Sequence, residues 1–277
     1  MGNLRMYKIK TLNSISVAGL ERFPRERYEV ASEIGSPDAI LVRSANMHEM
    51  VLPEAVLAVG RAGAGVNNIP VDACSARGIA VFNAPGANAN AVKELVLTGI
   101  LIASRNVCDA WAYVRTLDGT DDAIERQVEA AKKTYVGTEL PGRTLGIIGL
   151  GAVGVQVANA ARLLGMRVIG YDPGITVGHA WQLSSDVEAA DSIDQVLGQS
   201  DFVSLHVPLV EETKGLISGR RVKAMQPGAV LLNFSRSGIV DDAKVLEALD
   251  IGHLRTYVSD FPSQPLIAHP RVITLPH

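Results

Sequence analysis

Short apolar runs rich in β-branched residues alternate along the chain with segments whose apolar residues recur every three or four positions. Runs of the first kind are typical of buried parallel strands, and segments of the second kind are typical of helices that cover a sheet. The predicted strands are KIKTL, AILVR, LAVGRA and IAVFN, followed later by TLGIIGL, RVIGYD, FVSLHV, AVLLNF, RTYVSD and VITL. The alternation predicts an α/β fold of parallel sheets with helices on both faces.

The strand candidates fall into two groups, because residues 88–136 carry no strand signal. This stretch begins with NANAVKELVLTGILIASRNVCDAWAYVRTL, which predicts a long helix after an asparagine-rich start, and helical segments with charged faces follow it. We therefore expect two domains, one for each group of strands. The helices of 89–136 are expected to act as a connector, as a subunit interface, or as both.

Composition limits the classes of partner. The chain has 277 residues, a net charge of −3 and no block of Lys and Arg, so nucleic acid is not expected to bind. Cys74 and Cys108 have neither a CxxC nor a metal-ligand spacing, so we expect buried, reduced thiols and no metal site. The first residues carry no signal-peptide or myristoylation pattern, and the apolar run LVLTGILIA is interpreted as a core helix. A soluble cytoplasmic protein without a membrane partner is expected.

The segment LGIIGLGAVG places Gly149, Gly151 and Gly154 directly after a predicted strand and directly before a predicted helix. In this pattern the first glycine permits a tight turn, the second lets the backbone approach a pyrophosphate, and the third allows close packing of helix on strand. The next predicted strand, RVIGYD, ends at Asp172, whose carboxylate can bind the ribose hydroxyls and repel a 2′-phosphate. The segment therefore predicts a dinucleotide site that prefers NAD to NADP.

Two further predicted strands end in candidate functional residues. His206 and Pro208 follow SLHVP, and Arg236 follows the apolar run AVLLNF. Ligands of open parallel sheets bind at the carboxyl ends of the strands. A single Arg in such a loop is equally compatible with a solvated surface charge, but a guanidinium group is well suited to binding a carboxylate.

Together, LGIIGLGAVG with Asp172, LHVPLVEETKGLI, MQPGAVLLNFSRSGIVDD and the final ITLPH resemble the D-isomer-specific 2-hydroxyacid dehydrogenases. Within that family, RAGAGVNNIP, FNAPGANANAVKEL and RTYVSDF are most similar to D-3-phosphoglycerate dehydrogenases of the shorter bacterial type. The resemblance implies two flavodoxin- or Rossmann-like domains with the active site in the cleft between them. Residues 1–88 would be the first part of the substrate-binding domain, and residues 89–277 the NAD-binding domain with its dimerisation helices.

The resemblance also assigns roles to individual positions. His277 resembles the general base that takes the hydroxyl proton, and Arg236 the arginine that holds the substrate carboxylate and carbonyl. The positions that match cofactor contacts are Gly149, Gly151, Ala152, Val153, Gly154, Asp172, His206, Val207, Pro208, Phe234, Ser235, Arg236 and Asp260. The positions expected to bind substrate are Arg43, Ser44, Gly65, Val66, Asn67 and Asn88, and further cations for a substrate phosphate are Arg61, Lys132 and Lys133.

The chain departs from the family pattern in two respects. The family pairs its catalytic histidine with a Glu, whereas DFPSQPL is one residue shorter and has Gln264 nearest to that place. A Gln can orient an imidazole but adds no charge. The family chain also continues past its Pro-His pair with a helix that returns to the substrate domain, so the coding sequence is expected to continue or to have been cut.

The function expected from the resemblance is the NAD-dependent oxidation of D-3-phosphoglycerate to 3-phosphohydroxypyruvate and its reverse, the first step of serine biosynthesis, in a homodimer. One alternative is a hydroxypyruvate or glyoxylate reductase, or another D-2-hydroxyacid dehydrogenase, which would not need the phosphate cations. Another, from a different class, is an NAD(H)-sensing binding protein with a degenerate active site, which Gln264 and the missing tail would favour.

Overall fold

The computed structural model describes residues 5–277. The chain divides into two compact units, Met1–Asn88 and Ala89–His277. The first unit contains the strands β1 (Tyr7–Leu12), β2 (Tyr28–Ala31), β3 (Ala39–Val42), β4 (Ala58–Arg61) and β5 (Ala80–Phe82), and the helices α1 (Val17–Leu20) and α2 (Val71–Ala76). Its strands form one sheet in the order β2-β1-β3-β4-β5, and every pairing is parallel. This is the flavodoxin-like order, in which β2 is added on one side of β1 and β3 to β5 are added on the other side.

The second unit is larger. Its strands are β6 (Thr144–Ile148), β7 (Arg167–Tyr171), β8 (Glu188–Ala189), β9 (Phe202–Leu205), β10 (Ala229–Asn233), β11 (Leu254–Ser259) and β12 (Val272–Thr274). Its helices are α3 (Ala89–Arg105), α4 (Val107–Val114), α5 (Asp121–Ala131), α6 (Ala152–Leu163), α7 (Val177–Gln182), α8 (Ile193–Gln199), α9 (Gly219–Ala224), α10 (Asp242–Asp250) and α11 (Gln264–Ala268). Short 3₁₀ turns occupy Lys132–Tyr135 and Glu211–Thr213.

The sheet of the second unit has the order β12-β11-β10-β9-β6-β7-β8 with parallel pairing throughout. Read from β8, this is the Rossmann order with one more strand at the far edge, and the direction of winding changes between β6 and β9. Alternate residues of β10 face different cores: Leu231 packs with one buried cluster, and Val230 and Leu232 pack with the other. Both faces of the sheet are therefore covered, which explains the near-continuous apolar runs in its central strands.

The structure confirms the α/β fold class with two parallel sheets, and the ten predicted strand segments form β1, β3–β7 and β9–β12. The prediction missed β2 and β8. Both are edge strands that pair on one side only within the described residues. In β2, exposed Glu29 and Ala31 alternate with partly buried Tyr28 and Val30, and β8 has two exposed residues, so neither produces an apolar run.

The long helix predicted after residue 88 is broken at Asn106. Helix α3 ends at Arg105, Asn106 adopts a left-handed conformation, and α4 continues at an angle of 65°. The carbonyl oxygen of Ser104 accepts a hydrogen bond from the Thr138 N–H at 2.8 Å, and the Asn106 side chain donates to the Val136 carbonyl. The returning segment thus satisfies the Ser104 carbonyl at the end of α3, and the helix ends there.

No single helix of residues 5–277 is long and apolar enough to cross a membrane, although α3 and α4 together meet that criterion by length and composition. The expectation of two buried thiols holds for one of them. Cys74 of α2 is fully buried in the core of the first unit, whereas Cys108 is exposed. Cys108 belongs to α4, a helix with no buried residue in the described chain, although its Tyr113 stacks on Tyr135 at 5.3 Å.

Candidate active site

The glycine-rich turn joins β6 to α6. Strand β6 is the position in the sheet of the second unit where the order of successive strands reverses. Gly149 has a φ of 97°, a left-handed conformation that strains any side chain, and a Cβ there would lie 2.6 Å from the His206 carbonyl oxygen. A Cβ on Gly154 would collide with the Gly149 carbonyl oxygen. These two glycines are therefore required by the packing of the turn itself.

Gly151 differs from its two neighbours in the motif. Its φ is −78°, which any residue can adopt, and a Cβ at this position would meet no atom within 4 Å. Gly151 is the N-cap of α6, and no side chain caps the first turn of that helix among the described residues. The free N–H groups and the helix dipole attract an anion. Packing within the chain does not explain this glycine, whereas a pyrophosphate lying against it would.

Asp172 follows β7, beside the glycine-rich turn. Its Oδ2 accepts a hydrogen bond from the Leu150 N–H at 2.8 Å, and its Oδ1 accepts one from the Gly174 N–H at 2.8 Å. These bonds orient the carboxylate, and its remaining lone pairs are available to a ribose diol. The structure therefore places Asp172 next to the turn, as the predicted dinucleotide site requires.

Residues that follow β9 and β10 line the same edge of the sheet. The His206 N–H donates to the Ile148 carbonyl, and its Nε2 lies 2.9 Å from the Ser204 hydroxyl. Burial lowers the pKa of the His206 imidazole to about 4, so the ring is neutral at neutral pH. Val207 and Pro208 continue from it, and the buried Phe234 and Ser235 follow β10. The Ser235 hydroxyl donates to the Leu205 carbonyl and so joins the two strand ends.

Arg236 lies three residues beyond the end of β10 and is exposed. Its Nη1 donates to the Ser235 carbonyl oxygen at 2.6 Å, and no ion pair of Arg236 with an acidic side chain occurs within residues 5–277. The buried Asn233 side chain donates to the Arg236 carbonyl and accepts from the Ser235 N–H, which shapes the loop. The guanidinium group thus retains donors for an anionic ligand.

His277 lies beyond the end of β12, and its imidazole has a carboxylate partner. The Nδ1–H donates to Asp260 Oδ2 at 2.7 Å, and the Phe261 ring lies 4.8 Å from the imidazole, centroid to centroid. Asp260 follows the neighbouring strand β11 and is 5% exposed. Its other oxygen, Oδ1, is buried without a hydrogen-bond partner among the described residues. A buried carboxylate oxygen in that state needs a donor from a ligand or water.

Gln264, which the sequence suggested as the partner of this imidazole, lies elsewhere in its loop. It is the first residue of α11, its side chain is exposed, and the described residues show no hydrogen bond between it and His277. The structure thus pairs the imidazole with Asp260, and the described residues show no hydrogen bond for the pairing with Gln264 that the sequence suggested. Leu266, which is fully buried, packs α11 against the core.

The expected substrate-binding residues of the first unit surround the carboxyl ends of β3 and β4. Arg43 and Ser44 follow β3 and are exposed, and the Arg43 carbonyl accepts from Arg61 Nε at 3.1 Å. Asn13, which follows β1 with a φ of 66°, accepts the N–H groups of Ser44 and Ala45. Asn13 was not among the predicted site residues, although an Asn directly after a strand is a turn signal.

The loop after β4 contains Gly65, Val66 and Asn67, the candidate anion-binding turn. The Asn67 carbonyl lies 2.9 Å from His48 Nε2, and the Ala64 carbonyl accepts from the Asn83 side chain at 2.6 Å. Both ends of the turn are thereby held in place. Asn88 is exposed at the end of the first unit. His48 was also missed, because a single His without a motif carries no signal in the sequence.

NAD is the cofactor that this arrangement fits. The open space beside Gly151 and the start of α6, which no described side chain caps, match a pyrophosphate. The oriented Asp172 carboxylate matches a ribose, and Asp260 Oδ1, which has no partner among the described residues, matches a carboxamide. The residues that would bind these groups all lie at the carboxyl edge of the sheet of the second unit.

Comparison with known proteins agrees with this interpretation. The family model described as D-isomer specific 2-hydroxyacid dehydrogenase, NAD binding domain, matches residues 99–277. A D-3-phosphoglycerate dehydrogenase of Methanocaldococcus jannaschii is 35% identical over 258 residues, which are 90% of this chain and 47% of that protein. An (S)-sulfolactate dehydrogenase of Chromohalobacter salexigens is 40% identical over 216 residues, 76% of this chain and 64% of that protein.

Among solved structures, the NAD⁺-bound 3-phosphoglycerate dehydrogenase of Entamoeba histolytica matches with a TM-score of 0.74 and 26% identity, covering 98% of this chain and 87% of that one. The chain spans about half the length of several curated relatives that it matches. The turn, the Asp172 carboxylate and these matches lead to one conclusion: the chain belongs to the D-isomer specific 2-hydroxyacid dehydrogenase family and carries its NAD binding domain.

Proposed function

We propose that the protein oxidises a D-2-hydroxy acid with NAD and runs the reverse reduction with NADH. The observation that carries this proposal is the hydrogen bond between His277 and the buried Asp260 at the edge of the sheet that bears the dinucleotide turn. A degenerate binding protein has no need of an imidazole oriented by a buried carboxylate at this position. An acid-base residue needs such a partner to hold its ring and its tautomer.

In this mechanism the bound NAD supplies the acceptor for the hydride that leaves C2 of the substrate. The Nδ1 of His277 is committed to Asp260, so Nε2 takes the proton from the C2 hydroxyl during oxidation and returns it during reduction. Arg236, whose guanidinium is exposed, binds the substrate carboxylate and polarises the C2 oxygen. For the first unit we propose that the turn of residues 65–67 binds an anion through its backbone N–H groups.

For the substrate we propose D-3-phosphoglycerate, oxidised to 3-phosphohydroxypyruvate as the first step of serine biosynthesis. Support comes from the relatives named D-3-phosphoglycerate dehydrogenase and from Arg43, an exposed cation at the carboxyl end of β3. The relative named (S)-sulfolactate dehydrogenase favours sulfolactate as a second candidate. Both compounds carry a tetrahedral anion next to the hydroxy acid, which hydroxypyruvate and glyoxylate lack.

The deciding experiment is NADH oxidation by the protein, in its full-length form, with a panel of 2-oxo acids. The panel comprises 3-phosphohydroxypyruvate, sulfopyruvate, hydroxypyruvate, glyoxylate and pyruvate. We expect the highest kcat/KM for 3-phosphohydroxypyruvate. An equal kcat/KM for hydroxypyruvate would refute the proposal that the substrate carries a second anionic group. No turnover of any compound would overturn the enzyme assignment in favour of the binding protein.

A homodimer formed by the helices of residues 89–136 is also proposed. In α4 no described residue is buried, and the apolar side chains of Trp111, Val107 and Val114 are 63%, 48% and 55% exposed. A second copy would cover this face. Light scattering should give twice the chain mass, and Trp111→Glu should give the monomer mass. A monomer before substitution would contradict the proposal.

We expect the protein to act in the cytoplasm.

A further inference from the structure

We propose that Asn13 is a positioning residue for Arg43, the cation that we assign to the second anionic group of the substrate. The inference rests on the proposed function, because that function gives Arg43 its role. The contact itself lies within the first unit and can be tested in the free protein.

Asn13 continues the pairing of β1 with β3 beyond the ends of both strands. Leu12 is the last residue of β1 and lies opposite Val42, the last residue of β3. Directly after these two residues, Asn13 Oδ1 accepts the N–H groups of Ser44 at 3.1 Å and Ala45 at 2.6 Å. A side-chain oxygen thus replaces the ladder of backbone hydrogen bonds past the strand ends.

Asn68 holds the same segment from the other neighbour of β3. It lies in the loop after β4, and its Nδ2 donates to the Ala45 carbonyl at 2.8 Å and to the Arg43 carbonyl at 3.4 Å. In the sheet of the first unit, β3 lies between β1 and β4. Residues 43–45 are therefore held through their N–H groups on one side and through their carbonyl groups on the other.

The backbone conformation of Asn13 shows why its side chain is needed. Its φ of 66° lies in the left-handed region, which Asn tolerates better than most residues. A Gly would adopt this φ still more readily. The turn alone therefore does not require an Asn, whereas the two N–H groups that its oxygen accepts do.

The contact matters for Arg43 because its side chain is exposed. No ion pair of Arg43 with an acidic side chain occurs within residues 5–277. A long side chain of this kind loses conformational freedom when it binds an anion. A backbone that is held on both sides limits that loss, because the side chain starts from a fixed Cα at the carboxyl end of β3.

The first test uses the free protein and needs no substrate or cofactor. Asn13→Gly removes the acceptor oxygen and keeps the left-handed φ without strain. In hydrogen exchange followed by NMR, the amides of Ser44 and Ala45 should exchange at least about tenfold faster in this variant, because both lose their acceptor. Asn13→Asp retains an acceptor oxygen and should keep both amides slow. Unchanged exchange in Asn13→Gly would overturn the proposal.

The chain offers a matched control in Asn106. This residue is also left-handed, with a φ of 51°, and its side chain donates to the Val136 carbonyl at 3.1 Å in the second unit. Asn106→Gly makes the same chemical change at a similar φ, but outside the first unit. It should leave the exchange of Ser44 and Ala45 unchanged. Equally fast exchange of these amides in both variants would contradict a specific role of Asn13.

The second test compares two substrates in reduction with NADH. Asn13→Gly should raise KM for 3-phosphohydroxypyruvate at least about fivefold and leave kcat within about twofold, because Arg43 is assigned to a group away from the reacting C2. For hydroxypyruvate, which lacks the second anion, KM should change by less than about twofold. An equal rise for both compounds, or faster exchange with an unchanged KM, would reduce Asn13 to a structural residue and overturn the proposal.

A double-mutant cycle tests whether Asn13 acts through Arg43. In the Arg43→Ala background, Asn13→Gly should change KM for 3-phosphohydroxypyruvate by less than about twofold, because the side chain that it positions is gone. Additive effects of the two substitutions would show that Asn13 acts by another route, against the proposal.

Calorimetric binding of 3-phosphoglycerate, with NADH present so that no reaction occurs, separates this inference from the proposed function. If no compound is turned over but Asn13→Gly weakens this binding, the proposed function fails and the positioning role stands. If the unmodified protein is active and Asn13→Gly changes neither KM nor binding, the function stands and the positioning role fails. An unmodified protein with neither binding nor turnover would overturn both.

Discussion

Gly154 and the carbonyl oxygen of Gly149 lie so close that a single added methyl group on Gly154 would collide with the turn that starts the dinucleotide site. An Ala inside a helix is normally more stable than a Gly by about 0.5–1 kcal/mol. Here the obstacle is backbone, which cannot move aside as a flexible side chain can. Gly154→Ala is therefore expected to destabilise the second unit by about 1–3 kcal/mol, measured by thermal or urea unfolding. An increase in stability would contradict the packing of this turn.

Gly151 provides the matched control and a prediction of its own. In Gly151→Ala the added methyl group meets no atom within 4 Å and φ stays allowed, so the free energy of unfolding should fall only by the cost of an Ala at an N-cap, about 0.5–1 kcal/mol. The methyl group would nevertheless occupy the space assigned to the pyrophosphate. We expect at least about tenfold weaker NADH binding, or about 1.4 kcal/mol, in a fluorescence titration. An unchanged NADH affinity would show that the pyrophosphate does not bind beside Gly151.

Replacement of Asp172 should change the choice of cofactor. The carboxylate accepts the N–H groups of Leu150 and Gly174, and Asp172→Asn keeps the size of the side chain while removing its charge. The unmodified protein should bind NADH much more tightly than NADPH, because the carboxylate repels a 2′-phosphate. In Asp172→Asn that preference should shrink. Titrations with both cofactors measure it, and equal affinities before substitution would refute the assignment.

The partly buried His206 should make the stability of the cofactor-free protein depend on pH. Its pKa in the fold is lowered to about 4 by burial, whereas an unfolded chain has a pKa of about 6.5. Between these values the unfolded chain binds the proton and the folded one does not. The contribution of the neutral His206 ring to the free energy of unfolding is therefore fully present above about pH 6.5. It is lost as the pH drops towards 4, by up to about 1.4 kcal/mol per pH unit.

His206→Gln removes the titrating group and keeps a polar side chain beside the Ser204 hydroxyl, 2.9 Å from the ring in the unmodified protein. In urea unfolding at several pH values, the free energy of unfolding of this variant should fall less steeply as the pH is lowered. Identical slopes for the two proteins would show that the ring is already protonated in the fold.

Arg43 should distinguish substrates with a second anion from those without one. Arg43→Ala is expected to raise KM for 3-phosphohydroxypyruvate by at least about tenfold and to leave hydroxypyruvate nearly unchanged, since only the former loses a charge-assisted contact. Arg22→Ala, which removes an exposed Arg after α1, serves as the control. An equal rise in KM for both substrates would show that Arg43 has a general structural role.

Much of the fold could be predicted from the sequence because the relevant signals are local. A buried parallel strand is an apolar run, and the glycine spacing of LGIIGLGAVG, together with Asp172, describes a turn whose parts lie on consecutive elements. The edge strands β2 and β8 lack that signal, since one alternates and the other is two residues long. The exposure of Cys108 was likewise hidden, because an apolar helix looks the same in sequence whether or not something covers it.

The partner of His277 is a property of the folded chain. Counting along the loop after β11 favours Gln264, but the contact depends on which strand ends lie side by side. Parallel pairing of β11 with β12 brings Asp260 and His277 together, although they are 17 residues apart in sequence. The same holds for Asn13, which follows β1 and binds the loop after β3, 31 residues away. Local patterns therefore identify the elements and the edge of the sheet that bears the chemistry, whereas the register between strands selects which side chains meet there.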